Sequence, residues 1–569
     1  MYKKCYATRL GNNKYKIHLW DEGGYDEIEW YNTAYQECSK DQEEFKGLGG
    51  ESLKKVSKWD KNSSNLHFHD MKPHQKYLVE RYGIDDKPST GHRELFFDIE
   101  CEIGGALTEE YIERAPMPIT SIAWWDKTPD TWHILILDKK DQLKHTKAKS
   151  KEIIPCSTEQ ELLAKFLEHF REIDPDILIG YNSDFFDIPY LYYRMCNILG
   201  QEWADQLSPL NQVNAKKNNQ YFFKRNQFVD IIGVESLDYM RLHKKYSWKD
   251  EPSWKLDAIG EKYAKVNKIE YDGNLDQLFE TDINKFIQYN FRDVEILKLL
   301  DEKLQYIALT KNLSHKGNHN YSEVYSNSIT QDGAISAYLL SKNIIPPPRD
   351  PNPKSKRGYA GGFLFCPKAG LYKYMFDEDL TSLYPSIIMS LNIGKETFQG
   401  RIIDHDDRNN RLGLNDLKSM DPKRKLLLEN NRGVQTHIEA ERIIDAIESG
   451  GYSISANGCI FDTKVESTLS NVLNKWFDER VLYKNEMKKA FKSGDKAKGE
   501  YYYLMQYTMK ILLNSLYGAT ALPSFRYGMS HSILSEAITL SGWRIIQESA
   551  LCANRHMNKV IRNEVKLNL

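Results

Sequence analysis

Residues 93–101 read Arg93-Glu94-Leu95-Phe96-Phe97-Asp98-Ile99-Glu100-Cys101, an apolar run interrupted by two carboxylates at a spacing of two. Alternation predicts a strand, and period-two geometry puts Asp98 and Glu100 on the same face. Two acids side by side on one strand repel, and such a pair calls for a cation. Strand-like runs follow at 119–125 and 132–138. Leu162, Leu163, Phe166, Leu167 and Phe170 then give helical periodicity over 159–173, and a strand, Ile177-Leu178-Ile179-Gly180, runs into a loop. Alternating strands and helices predict an α/β domain to about residue 308.

At 569 residues the chain is too long for one domain. A 41% hydrophobic share supplies real cores, and no apolar run reaches the roughly 20 residues needed to span a bilayer. The N-terminus lacks the apolar stretch of a signal peptide, so a cytosolic location is expected. Eight scattered cysteines form no Cys-x-x-Cys pair, so neither a zinc ribbon nor a disulfide framework is indicated, and reduced, mostly buried thiols are expected. The net charge of −2 does not advertise nucleic-acid binding, although a cleft can concentrate basic residues within a neutral total.

The segment Ile345-Pro346-Pro347-Pro348-Arg349-Asp350-Pro351-Asn352-Pro353 reads as the best linker. Beyond it, 359–391 reads as strands with a turn, and 401–465 is polar and carries no clear pattern. Helices are predicted over about 466–493, 500–517 and 530–562, the first two as an antiparallel hairpin punctuated by Gly494 and Gly499. Two further acids stand in suggestive settings. Asp187 lies in a loop after a buried strand, within Gly180-Tyr181-Asn182-Ser183-Asp184-Phe185-Phe186-Asp187-Ile188-Pro189. Tyr289 and Asp293, at i and i+4, share a helix face.

These three segments resemble, in order, the exonuclease motifs of family B DNA polymerases. The resemblance implies an RNase H-like 3′→5′ exonuclease domain in which Asp98, Glu100, Asp187 and Asp293 ligate metal and Tyr289 orients the attacking water. Two divalent ions, Mg²⁺ with Mn²⁺ as the alternative, would activate that water and stabilise the leaving oxygen. Lys268, in Lys268-Ile269-Glu270-Tyr271-Asp272-Gly273, also matches a family segment. Two signature segments of the polymerase region are matched as well: Asp379-Leu380-Thr381-Ser382-Leu383-Tyr384-Pro385-Ser386-Ile387, and Lys510-Ile511-Leu512-Leu513-Asn514-Ser515-Leu516-Tyr517-Gly518. By that likeness Asp379 binds metal, and Leu380, Ser382 and Leu383 line the nucleotide. Tyr384 selects deoxynucleotides by leaving no room for a 2′-hydroxyl. Lys510, Asn514 and Tyr517, at i, i+4 and i+7, join Arg480 and Lys484 on the preceding helix to grip the triphosphate and pack the nascent pair. Tyr359, Gly361 and Gly362 match a Tyr-x-Gly-Gly segment that binds the template strand, where glycine lets backbone approach a phosphate.

The match is closest to the polymerases of T-even-type bacteriophages and implies a multidomain α/β and α+β fold. The implied division is an N-terminal domain over 1–92 with 309–350 returning to it, the exonuclease domain over 93–308, a first part of the palm over 351–465, helical-hairpin fingers over 466–522, and a second part of the palm over 523–569. The fingers are short, with 25 residues between Lys484 and Lys510, and no Asp-Thr-Asp segment for a partner aspartate occurs. An incomplete right hand without a thumb is therefore expected: the N-terminal subunit of a split polymerase whose second chain supplies the aspartate and thumb, with a fragment as the rival. Primer–template DNA, deoxynucleoside triphosphates, a sliding clamp and a single-strand binding protein are the implied partners, in the host cytoplasm and away from membranes. A stand-alone 3′→5′ exonuclease and a non-catalytic nucleic-acid-binding regulator are the other readings. The retained fingers residues oppose the first, and the four exonuclease acids oppose the second.

Overall fold

The computed structural model describes the chain except residues 61, 62, 64, 103, 216–228, 248, 249, 351–360, 365–368, 372–378, 404–411, 523 and 565–569, with backbone alone over 558–564. It divides into two units. One comprises residues 1–31, 73–78 and 85–326; the other comprises 32–72, 79–84 and 327–569.

The first unit opens with an antiparallel meander of Tyr2–Arg9, Lys14–Asp21 and Gly24–Tyr31. Its main element is a mixed seven-stranded sheet ordered Thr146–Lys147, Lys151–Cys156, Thr131–Leu137, Ile119–Asp126, Glu94–Cys101, Ile177–Gly180 and Glu235–Asp238. Glu94–Cys101 lies inside the sheet, antiparallel to Ile119–Asp126 and parallel to Ile177–Gly180. Its odd residues Leu95, Phe97, Ile99 and Cys101 enter a core with Leu162, Leu163, Phe166, Leu167 and Phe170 of the helix Glu159–Ile173. Thr158 caps that helix by accepting a hydrogen bond from the Glu161 amide. The even residues, Asp98 and Glu100 among them, take the other face, against which the helix Ile283–Leu304 packs. The strand and helix expected over 93–101 and 159–173 are both present.

Among the described residues the second unit holds two sheets. One orders Ile344–Ile345, Phe45–Gly47, Ser52–Val56, Ala34–Glu37 and Leu66–His67. The other is antiparallel and orders Gln435–Glu439, Lys425–Asn430, Phe398–Ile402, Cys459–Asp462 and Tyr452–Ile454. This second sheet fills the stretch whose polar sequence gave no pattern; Gln435–Glu439 is largely exposed, so apolar alternation is weak there. The helix Leu383–Ser390 corrects the expectation of strands throughout 359–391: Ser382 in the left-handed conformation turns the chain, and Pro385 sits in the first helical turn, where its missing N–H costs nothing. Thr468–Lys492 and Lys496–Thr520 form the expected helical hairpin, turning at Gly494, whose φ of 81° suits glycine. Ser467 and Asp495 cap their N-termini.

The proline-rich segment is anchored through residue 350 rather than free. Pro346 and Pro347 are buried, and the Pro347 carbonyl accepts from Arg526 Nη1 at 2.6 Å. Arg526 is fully buried and also donates to Asp332 Oδ1 at 3.0 Å and Asp70 Oδ1 at 2.6 Å. Arg349 pairs with Asp332 through its side chain and donates its backbone N–H to Asp70 Oδ2 at 2.6 Å. Two arginines and two aspartates thus join four distant stretches of the second unit. Removing one member strands the others in low dielectric. Arg526→Leu is expected to lower unfolding free energy by about 3–5 kcal/mol, read by chemical denaturation of this unit; a loss below about 1 kcal/mol would mean that the aspartates are solvated.

Candidate active site

Asp98 and Glu100 leave the even face of the central strand, and Asp293 comes down onto them from the helix Ile283–Leu304. One carboxylate oxygen of each lies within 4.8 Å of the other two. Asp187 reaches the same strand from a third direction: its Oδ1 accepts the backbone N–H of Ile99, between the two strand acids, at 3.2 Å. Asp187 is not a loop residue as expected. It is the first residue of the helix Asp187–Ile198, entered through Asn182 in the left-handed conformation, so the helix dipole favours a carboxylate there.

Neighbouring side chains fix the acids. Asn290 Nδ2 donates to Asp98 Oδ2 at 2.6 Å, and its Oδ1 accepts from Ser121 Oγ at 2.8 Å. Sequence reasoning missed this pair, although Asn290 stands between Tyr289 and Asp293 in a segment singled out for its acid. Lys268 Nζ pairs with Asp293 and donates to the Tyr289 hydroxyl at 3.0 Å. Tyr289 is held edge-on by Tyr271 with ring centroids 5.3 Å apart. The Lys268 backbone N–H is tied to Asp257 Oδ1 at 2.7 Å. Lys268 therefore belongs to the cluster, between its acids and its phenol.

The electrostatics are those of a site built for a cation. Burial, then the charges of Asp293, Glu100 and Asp187, push the Asp98 carboxyl well up. Burial followed by Asp293 raises Glu100 to about 8; burial first raises Asp187 to about 7 and Asp293 to about 6. Burial opposes the Lys268 ammonium, but Asp293, Tyr289 and Asp98 hold it well above its ordinary value. Burial, then Asp293, keeps the Tyr289 phenol protonated far above neutral pH. One lysine does not neutralise four acids, and Asp293 Oδ1 is buried with no hydrogen-bond donor among the described residues. Hard oxygen donors with an orphaned buried lone pair fit a divalent ion.

The second unit brings together part of the other predicted set. Tyr384 and Tyr517 lie ring to ring with centroids 4.6 Å apart. A Cβ on Gly542, in the helix Ile533–Glu564, would come to 3.0 Å of the Tyr384 ring, so glycine there lets the tyrosine sit close. Gly361 offers its carbonyl to Trp543 Nε1 at 2.7 Å, and a Cβ on Gly362 would meet the Tyr384 hydroxyl at 3.4 Å. Gly542 and Trp543 carry no motif and were not foreseen. Asp379 is exposed, ahead of Leu380, Ser382 and Leu383 at the start of the Leu383–Ser390 helix. Arg480 and Lys484 lie on Thr468–Lys492, and Lys510 and Asn514 on Lys496–Thr520. Arg480 Nε is buried and finds no acceptor among the described residues. Tyr359 lies outside the described residues.

Proton linkage gives a test of the carboxylate cluster. Acids whose folded-state values are raised keep protons that the unfolded chain sheds from about pH 4.5 upward, so metal-free stability falls as pH rises toward 8. Glu100→Gln removes one such acid. In chelator, wild type and variant should melt alike at pH 5, with the variant a few degrees higher at pH 8.5. Added Mg²⁺ should then stabilise wild type more than the variant. Equal melting curves at every pH would contradict a cation-seeking cluster.

The family model described as the exonuclease domain of DNA polymerase family B matches residues 43–259, which include Asp98, Glu100 and Asp187. The model described as DNA polymerase family B matches residues 324–568, which include Asp379, Tyr384, Lys510 and Tyr517. Because that second match runs to residue 568, it gives no support to the expected incomplete right hand, missing aspartate or second chain. The DNA-directed DNA polymerase of Escherichia phage RB69 is 30% identical over 528 residues, covering 86% of this chain and 58% of that protein. The DNA-directed DNA polymerase of Enterobacteria phage T4 is 27% identical over 621 residues, covering 97% of this chain and 66% of that protein. A DNA polymerase of Pyrococcus glycovorans is 26% identical over 340 residues, covering 57% and 40%. The chain thus spans about three-fifths to two-thirds of the length of the two phage relatives. With both family models matching in sequence order, across both carboxylate-bearing regions, this chain belongs to DNA polymerase family B.

Proposed function

We propose that the chain works in template-directed DNA synthesis, with a 3′→5′ exonuclease site in the first unit and a deoxynucleotide-binding polymerase site in the second. The observation that carries the reading is the convergence of Asp98, Glu100 and Asp293 within 4.8 Å, with Asp187 bonded to the strand between the first two. Mg²⁺ is the expected ion, held by Asp98, Glu100, Asp187 and Asp293; when bound, such ions lower the pKa of water and offset charge on a phosphodiester. The remaining chemistry belongs to side chains. Asn290 fixes the rotamer of Asp98 from one side. The protonated phenol of Tyr289, braced by Lys268 and Tyr271, holds a water in line with a terminal phosphate. Lys268 opposes the effect of burial on Asp293 and so favours the ionised carboxylate that would ligate a cation.

In the second unit Asp379 is assigned to metal. Leu380, Ser382 and Leu383 line the nucleotide, Arg480, Lys484 and Lys510 grip its triphosphate, and Asn514 stands beside them. Tyr384, wedged between Tyr517 and Gly542, forms a floor with no space for a 2′-hydroxyl. Tyr359, Gly361 and Gly362 contact the template strand. Primer–template DNA and deoxynucleotides are the substrates, with a sliding clamp and a single-strand binding protein as further partners in the host cytoplasm. Among the described residues no helix is long and apolar enough to cross a membrane.

A 5′-labelled primer–template incubated with Mg²⁺ tests the exonuclease half. The primer should shorten without nucleotides, and Asp98→Ala with Glu100→Ala should slow shortening by about 10³-fold or more; undiminished shortening by that variant would refute the assignment. For the second half, Tyr384→Ala should narrow the ratio of ribonucleotide to deoxynucleotide dissociation constants by about 10-fold or more. An unchanged ratio would remove Tyr384 from sugar selection.

A further inference from the structure

The helical hairpin carries a feature that the nucleotide-gripping role leaves unused. Along Lys496–Thr520, Tyr503 and Tyr507 precede Lys510, Asn514 and Tyr517 at heptad spacing, so the face assigned to the triphosphate continues outward as an aromatic ladder. The Tyr503 and Tyr507 rings lie 6.0 Å apart and within 8° of parallel. Tyr501 and Tyr503 are 49% and 48% exposed, unusual for two large rings on one turn of helix. Opposite, Arg480, Lys484, Lys488 and Lys492 recur every four residues along Thr468–Lys492. Tyr483 stacks on Tyr502, which sets the antiparallel register and brings Lys484 level with Tyr501.

The charge points the same way. Residues 481–500 hold six lysines against Glu486, Asp495 and Glu500, in a chain whose total is −2. Lys489 and Lys496 have carboxylate partners at 2.7 and 3.8 Å, whereas Lys484, Lys488, Lys492 and Lys498 make no ion pair among the described residues. Lysines without ion pairs along one helix and exposed tyrosine rings along the other combine phosphate attraction with faces on which unpaired bases stack without regard to sequence. Duplex DNA hides those faces, and a flat apolar protein partner has no use for four free ammonium groups.

We propose that the outer half of this hairpin, centred on Tyr501, Tyr503, Lys488 and Lys492, is a binding site for single-stranded DNA. This rests on the reading of the chain as a DNA-synthesising protein, where an unpaired template strand is the available ligand. The site adjoins the triphosphate grip at Arg480, Lys484 and Lys510 and shares Lys484 with it.

The test uses the full chain and an oligothymidylate carrying 5-iodouracil at one position. Irradiation should give adducts on Tyr501 or Tyr503, located by peptide mass spectrometry. Tyr501→Ala with Tyr503→Ala should weaken oligothymidylate binding about 5- to 20-fold by fluorescence anisotropy. The paired Phe variants, which keep the rings, should restore it. Lys488→Ala with Lys492→Ala should reduce the salt slope by about 1.4, for two phosphates at about 0.7 each. If the wild type degrades single strands yet gives no hairpin adduct and unchanged affinity in the alanine variant, the hairpin proposal is overturned and the exonuclease reading stands. Adducts without degradation would uphold the hairpin site and overturn the exonuclease reading.

Discussion

Desolvation and mutual repulsion of four clustered carboxylates dominate the electrostatics of the first unit's site. Asp98 and Glu100 face the same way because a strand alternates, and Ile99 between them must enter the core with Leu95, Phe97 and Cys101. A register slip of one residue would bury the acids against Phe166 and Phe170 and turn the core residues toward the helix Ile283–Leu304. The hydrophobic pattern of one face thereby dictates the chemistry of the other. Asp187 and Asp293 complete the cluster from two helices, and neither Lys268 nor the hydrogen bonds to Asn290 and Ile99 offset the stored charge. Folding tolerates that strain through retained protons, which a divalent ion displaces.

The second unit uses a different device. Its sugar-selecting candidate is shaped by packing: Tyr384 lies against Tyr517 and over Gly542, so small changes in that stack alter the space above it. The scaffold is tied by the buried Arg526, which joins Asp70, Asp332 and Pro347, residues 179 to 456 positions away from it in sequence. Guanidinium suits this junction, because its planar fork donates to several acceptors at once and stays charged when buried.

Much of the first unit was legible in the sequence because strand and helix periodicities are strong there: residues 93–101 and 159–173 behave as their patterns require. The acids were legible as well, standing out against apolar surroundings. Asp187 was misplaced in a loop because Pro189 two residues later reads as a breaker, whereas a first-turn proline opens a helix. The helix at 383–390 was missed for the same reason at Pro385. Residues 401–465 hid a sheet because its outer strand is solvated. The proline-rich stretch at 345–350 misled through composition, since Arg526 holds it from a distance that no local pattern reveals. Asn290, Gly542 and Trp543 act through contacts far apart in sequence.

Mn²⁺ titration of the intact chain followed by EPR tests the central claim most directly. If the four carboxylates form one site, the spectrum should develop the signature of an exchange-coupled Mn²⁺ pair, and Asp293→Asn should abolish the coupling while the fold persists by circular dichroism. Isolated mononuclear signals alone, unchanged in that variant, would contradict the account.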